Sequence, residues 1–161
     1  MKAHHIVLLF SAILIFTSGL QAQSINGSTE KHNRIFPLGE KAPANNFTGT
    51  VWVKPLVPND SVFNCIVGSV TFEPGARSNW HYHPAGQILL VTAGTGYYQE
   101  KGQSINVIRK GDVVTCPPNV EHWHGASPGS MMTHIAINPN TEKGIVVWMQ
   151  KVSDEEYKNL K

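Results

Sequence analysis

The sequence predicts an all-β domain, built as a sandwich or a barrel. Three observations carry that prediction. Beyond Thr50 the chain is a series of short runs rich in Val, Ile, Thr and aromatic residues. Turn-forming residues, glycine above all, stand between most of those runs. Helical patterning is absent until the tail that begins at Ser153. No repeat of domain size is visible, and 161 residues suit a single domain.

The elements follow in order. "MKAHHIVLLFSAILIFTSGLQAQ" has a charged start at Lys2, an apolar run from Ile6 to Phe16, and then small and polar residues. That is the pattern of a secretory signal over residues 1–22, too short to span a membrane. Cleavage after Ala22 implies an exported protein, periplasmic or secreted. Residues 23–50, rich in Ser, Asn, Gly and Pro, read as an N-terminal arm, and 51–161 as the domain. "TVWVKPLV" is closed by Pro-Asn-Asp, and "SVFNCIVGSVTF" by "EPGA". "QILLVTAG", "GYYQE", "SINVI", "DVVTC", "MMTHIAINP" and "GIVVWMQKV" complete the strand candidates. The "GTG" at 94–96 is not the GxGxxG pattern and no helix follows it, so it reads as a hairpin turn. In "SDEEYKNLK", Ser153 caps a short helix and Glu156 closes a capping box.

Charge and cysteine content exclude several classes. Thirteen Lys and Arg face eleven Asp and Glu, with no long basic run, so nucleic acid is not an expected partner. After signal cleavage no membrane association is expected either. Cys65 and Cys116 are too few for a disulfide framework and form no CxxC; they read as two buried thiols.

The chemistry lies in the histidines. Five of the eight fall between residues 81 and 134: His81, His83, His122, His124 and His134. On a strand, residues i and i+2 share a face, so His81 and His83 project together, as do His122 and His124. The Pro84-Ala85-Gly86 turn returns Gln87 to the side of the first pair. Imidazoles with one amide oxygen suit a divalent Zn, Cu, Fe, Ni or Mn ion. Trp80, Tyr82 and Trp123 alternate with the histidines and face the other way. Such outward aromatics suggest a second sheet packed on them, hence a homodimer or a higher homo-oligomer.

These residues resemble the two cupin motifs. "GARSNWHYHPAGQILLVTAG" has Gly75, His81-x-His83, the polar Gln87 and Gly94 in the first motif's order. "GDVVTCPPNVEH" supplies Gly111, Pro117 and His122 in the second's. Asn119 and Ala126 depart from that pattern, where Gly and Asn are usual. The resemblance implies a double-stranded β-helix, or jelly-roll, barrel. It also implies one divalent metal ion held by His81, His83, Gln87 and His122. Most cupins of this pattern carry Glu where this chain has Gln87. A neutral amide beside three neutral imidazoles leaves the ion its full double charge, which favours polarising a substrate oxygen over activating dioxygen.

A narrower likeness rests on "SVTFEPGARSNWHYHPAGQILLVTAG", "HWHGA", "MTHIAI" and "VVWMQKVSDEEY", which together are similar to the bacterial cupin hydroxynitrile lyases of the (R)-mandelonitrile lyase type. That family implies manganese in first place, and sometimes iron; the donor set itself also leaves nickel or zinc open. It implies a small-molecule cyanohydrin substrate, cleaved to an aldehyde and cyanide. His124, His134 and Ser78 match its catalytic positions, with a histidine as base and Ser78 orienting the oxygen. Val70 and Met132 are candidate cavity walls. Two other classes remain open: a metal-dependent dioxygenase or oxidase, and a non-catalytic small-molecule-binding cupin.

Overall fold

The computed structural model describes residues 34–60 and 62–160. The expected signal peptide, and the arm as far as residue 33, lie outside the described residues. The strands are β1 Glu40–Lys41, β2 Phe47–Thr48, β3 Val51–Val57, β4 Cys65–Phe72, β5 Arg77–Ser78 and β6 His81–Tyr82. They continue with β7 Gln87–Glu100, β8 Asn106–Arg109, β9 Val113–Cys116, β10 His122–Ala126, β11 Met132–Pro139 and β12 Val147–Trp148. Among the described residues one α-helix, α1 Asp154–Lys158, follows.

All pairings are antiparallel. The main path runs β1-β3-β4-β11-β7-β10-β5-β2, with β8 and β9 on β7, and β6 bridging β10 to β12. This is a curled β sheet of two faces, one organised around β4 and β11 and the other around β10. β7 belongs to both. Its first half pairs with β11 and β9, and its second half with β10 and β8.

The expected hairpin at 94–96 is therefore a mistaken reading: β7 runs through it without reversing. Gly94 takes φ +74°, and a Cβ there would lie 1.8 Å from the Met131 carbonyl oxygen. A Cβ on Gly96 would lie 2.2 Å from Met132 Sδ and 2.3 Å from the Gly125 carbonyl oxygen. The glycines let β7 bend between the sheets while β10 and β11 press close to it. A bend of this kind and a hairpin carry the same local signal.

Residues 40–41 and 47–48 of the expected arm enter the sheet: β1 pairs with β3, and β2 with β5. "SVFNCIVGSVTF" becomes a strand only from Cys65. Before it, the Asp60 carboxylate accepts from the Val62 and Phe63 backbone N–H groups and holds a turn. Asn119, where glycine is usual, sits at φ +62°, a conformation asparagine tolerates, and its N–H donates to the His83 carbonyl at 3.0 Å. Neither cysteine is in a disulfide; Cys116 is buried but Cys65 is only half-buried. Burial pushes the Cys116 thiol up to about 12.

The core is double. Val51, Phe72, Leu89, Val91 and Met132 fill the inside. On the opposite side Trp80 and Trp123 pack with Tyr97, Ile105, Val152 and Tyr157. Trp80 and Trp123 are 2% and 0% exposed within the single chain. Two of the aromatic residues that led to an expected homodimer, Trp80 and Trp123, thus pack against the chain's own C-terminal segment, while Tyr82 stays half-buried. The predicted cap is present: Ser153 Oγ accepts from the Glu156 N–H at 3.1 Å, and the Glu156 carboxylate accepts from the Ser153 N–H at 2.8 Å. Arg77 fastens this segment, donating to the Val152 carbonyl and to Asp154 and lying over the Tyr157 ring.

Candidate metal centre and active site

Three strands bring the histidines together. His81 on β6 is paired in register with His122 on β10 and with Trp148 on β12, so these side chains share a face. The ring centroids of His81 and His122 are 4.4 Å apart, and those of His81 and His83 5.2 Å. One nitrogen from each of His81, His83 and His122 falls within 4.8 Å of the others.

The tautomers are set by backbone carbonyls. Nδ1 of His81 meets the Asn79 carbonyl at 2.9 Å, that of His83 the Ile145 carbonyl at 2.5 Å, and that of His122 the Val120 carbonyl at 2.9 Å. With Nδ1–H donating, Nε2 keeps its lone pair for a ligand. Nε2 of His83 and of His122 is buried without a hydrogen-bond partner, and so is Oε1 of Gln87. Gln87 Nε2, by contrast, donates to Asn138 Oδ1 at 3.0 Å. Unpartnered imidazole nitrogens and an unpartnered amide oxygen fit a divalent cation: each is a neutral N or O donor that water does not reach. The four residues expected as ligands are thus brought to one place.

His124 and His134 stand beside this set. Their centroids are 4.9 Å apart, and His124 is 5.3 Å from His81 and 6.1 Å from His122. Nδ1 of His124 and both nitrogens of His134 are buried without partners. Burial lowers the pKa of all five imidazoles. His83 and His134 come down to about 4, His81 and His124 fall well below the ordinary value, helped by neighbouring imidazoles, and His122 is lowered too. The carbonyl bonds to His81, His83 and His122 oppose the shift without reversing it. All five shifts run toward the neutral imidazole, the form that ligation requires.

A cavity of about 180 Å³ opens on the group, lined by His81, His83, Gln87, His124 and His134. Phe47, Val53, Ile66, Val70, Ile145 and Trp148 supply most of its apolar wall. Among the described residues no Asp, Glu, Lys or Arg lines it. Two expectations change here. Met132 is wholly buried in the core and does not line the cavity. Ser78 is buried outside the lining, and its Oγ accepts from the His124 backbone N–H at 3.2 Å. It anchors the strand that carries His124 instead of facing the cavity.

Residues 68–149 match the cupin domain model. The chain belongs to the cupin family. This cupin is 48% identical over 118 residues to the (R)-mandelonitrile lyase of Granulicella tundricola, covering 73% of this chain and 90% of that one. It is 51% identical to a cupin-like protein of Thermotoga maritima of known crystal structure, with a TM-score of 0.76 over 78% of this chain and 95% of that one. The polyketide cyclase RemF of Streptomyces resistomycificus, at 15% identity and a TM-score of 0.55 over 67% of this chain and 76% of that one, shares the fold alone.

The cupin's sequence hid some lining residues and half-disclosed others. Asn138 was within reach, since His134, Ala136 and Asn138 alternate on β11 and all three line the cavity. Phe47 was not, because it lies in a segment that reads as arm. Trp148 was not either, because its place depends on pairing with His81 from 67 positions away.

Proposed function

We propose that this cupin is a metal-dependent lyase that cleaves neutral cyanohydrins to a carbonyl compound and cyanide, and runs the reverse addition. One observation carries the reading. The unpartnered donors of His83 and Gln87, with His81, line an apolar cavity that His124 and His134 also face, and His122 groups with His81 and His83 behind it. The similarity to (R)-mandelonitrile lyase supports the same reaction class and an aromatic substrate of that kind.

A divalent ion held by His81, His83, Gln87 and His122, manganese in first place, would supply Lewis acidity toward the substrate hydroxyl. His124 or His134 takes the hydroxyl proton on an unpartnered nitrogen. As the O–H bond breaks, its electron pair becomes the carbonyl π bond. The C–CN bond breaks, and its pair leaves with cyanide. The imidazolium then returns the proton, so that hydrogen cyanide is released. The apolar walls hold the organic group and exclude water, while Ser78 keeps His124 in place. No charged side chain lines the cavity away from the proposed ion, which favours a substrate whose organic group is uncharged.

The test is cleavage of (R)-mandelonitrile by the purified protein with and without oxygen, before and after chelation. The proposal expects aldehyde release that is indifferent to oxygen, lost on chelation and restored by Mn(II). Turnover that strictly requires oxygen would replace the lyase by an oxygenase. Tight ligand binding with no turnover would make it a binding cupin.

A further inference from the structure

Gln87 poses a problem that a glutamate would not. An amide has two chemically different ends, and only one of them can face a cation. Within the cavity the wrong orientation would aim an NH2 group at the cluster of imidazoles. The structure assigns the choice to Asn138: we propose that it is a positioning residue, whose Oδ1 holds the Gln87 amide with Oε1 turned toward the metal centre. This rests on the reading of Gln87 as a ligand.

The geometry supporting it is local and complete. Ile137 on β11 pairs with Ile88 on β7, so Asn138 and Gln87 are the next cross-strand neighbours along that register. Gln87 Nε2 donates to Asn138 Oδ1 at 3.0 Å, and that is the amide's one hydrogen bond. Gln87 and Asn138 are 6% and 9% exposed, so water does not substitute freely for either partner. With Asn138 presenting Oδ1 as it does, a turned-over Gln87 amide would set oxygen against oxygen there and would aim its N–H groups at the Nε2 lone pairs that a cation needs. The required property at 138 is therefore an acceptor, not an amide as such. An aspartate, which only accepts, should hold Gln87 in the same orientation. A glutamate at 87 needs the reverse, a donor at 138, which asparagine can supply by turning its own amide over. The two positions form a matched pair in which donor must face acceptor.

The experiment titrates Mn(II) alone into chelator-treated, full-length protein by calorimetry or electron paramagnetic resonance. It compares wild type, Gln87→Ala, Asn138→Leu, Asn138→Asp, Gln87→Glu and the Gln87→Glu/Asn138→Asp double variant. The melting temperature of each metal-free protein is recorded alongside. Asn138→Leu should weaken Mn(II) binding on the order of tenfold to a hundredfold, the range for losing an outer-shell partner of a ligand. Asn138→Asp should bind at least as well as wild type. Gln87→Glu should retain the metal. The double variant should bind more weakly than either of its single variants, because two acceptors then oppose each other. Wild-type affinity in Asn138→Leu would overturn the proposal, as would equal losses in Asn138→Leu and Asn138→Asp. If the leucine variant does not fold, the two single acidic variants and their double carry the same decision. Wild-type affinity in Gln87→Ala would remove Gln87 as a ligand altogether. A loss in Gln87→Ala without one in Asn138→Leu would remove only the role of Asn138.

Discussion

At the scale of single residues, the histidines divide by what their nitrogens already do. His81, His83 and His122 each spend Nδ1 on a carbonyl and hold Nε2 for a ligand, whereas His134 has neither nitrogen engaged. His122→Ala should therefore abolish stoichiometric metal, measured by elemental analysis, because three donors leave an open, weak site. His124→Ala should keep the metal and lower kcat by roughly two to four powers of ten, as for loss of a general base. Gln87→Glu should keep the metal but lower kcat more than it changes KM. The added negative charge weakens stabilisation of the developing negative oxygen, a transition-state effect. Steady-state kinetics on a cyanohydrin separate these cases. A Gln87→Glu enzyme faster than wild type would reverse the explanation of the glutamine.

At the scale of elements, β7 is the strand on which the site depends, because it joins the two sheets and starts at Gln87. Its bend requires a missing Cβ at Gly96, where Met132 Sδ and the Gly125 backbone oxygen both crowd the position. Met132 can turn aside, but the Gly125 backbone cannot do so without pulling β10 and its two histidines. Gly96→Ala should destabilise the fold by about 1–3 kcal/mol, the usual cost of overpacking, with a lower denaturation midpoint and an unchanged m-value. The other element with a defined anchor is α1. Arg77 is 6% exposed and donates to the Val152 carbonyl from both Nε and Nη2, at 3.3 and 3.1 Å. Removing it leaves that buried carbonyl short of donors and uncovers Tyr157. Arg77→Ala should cost about 1–3 kcal/mol in chemical denaturation, and Asp154→Ala much less, because that carboxylate is exposed and solvent screens its pair.

At the scale of the whole molecule, two cores share one sheet system. The inner core carries the cavity, and the outer one is sealed by residues near Val152 and Tyr157. The segment that covers Trp80 and Trp123 also carries Met149, whose N–H donates to the Trp80 carbonyl at 2.9 Å next to His81. The tail therefore stabilises the strand on which the first ligand pair begins. Among the described residues no helix is long and apolar enough to cross a membrane. The leader pattern of residues 1–22 bears on location. In a bacterial expression host the processed protein should be recovered outside the cytoplasm with an N-terminus near Gln23, by intact-mass measurement. An exported protein that retains Met1 or Lys2 would contradict cleavage.

What the sequence determined by itself was local in its physics. The strand period aligned His81 with His83 and His122 with His124, the turn residues separated most strands, and Ser153 with Glu156 specified the helix start. Each of these follows from bonds and side-chain directions within a few residues, so they could be read before any fold was known. Tertiary structure decided the rest, because register and closure depend on partners far away in the chain. Only the packing of β10 and β11 distinguishes a bend from a hairpin at Gly94–Gly96, since glycine serves both. Only sheet pairing draws residues 40–41 and 47–48 out of the arm and brings Trp148 against His81. Only the folded tail turns the outward tryptophans into core. Burial, which no single residue type encodes, lowers the basicity of the histidines and leaves Gln87 with one oxygen free and one nitrogen held.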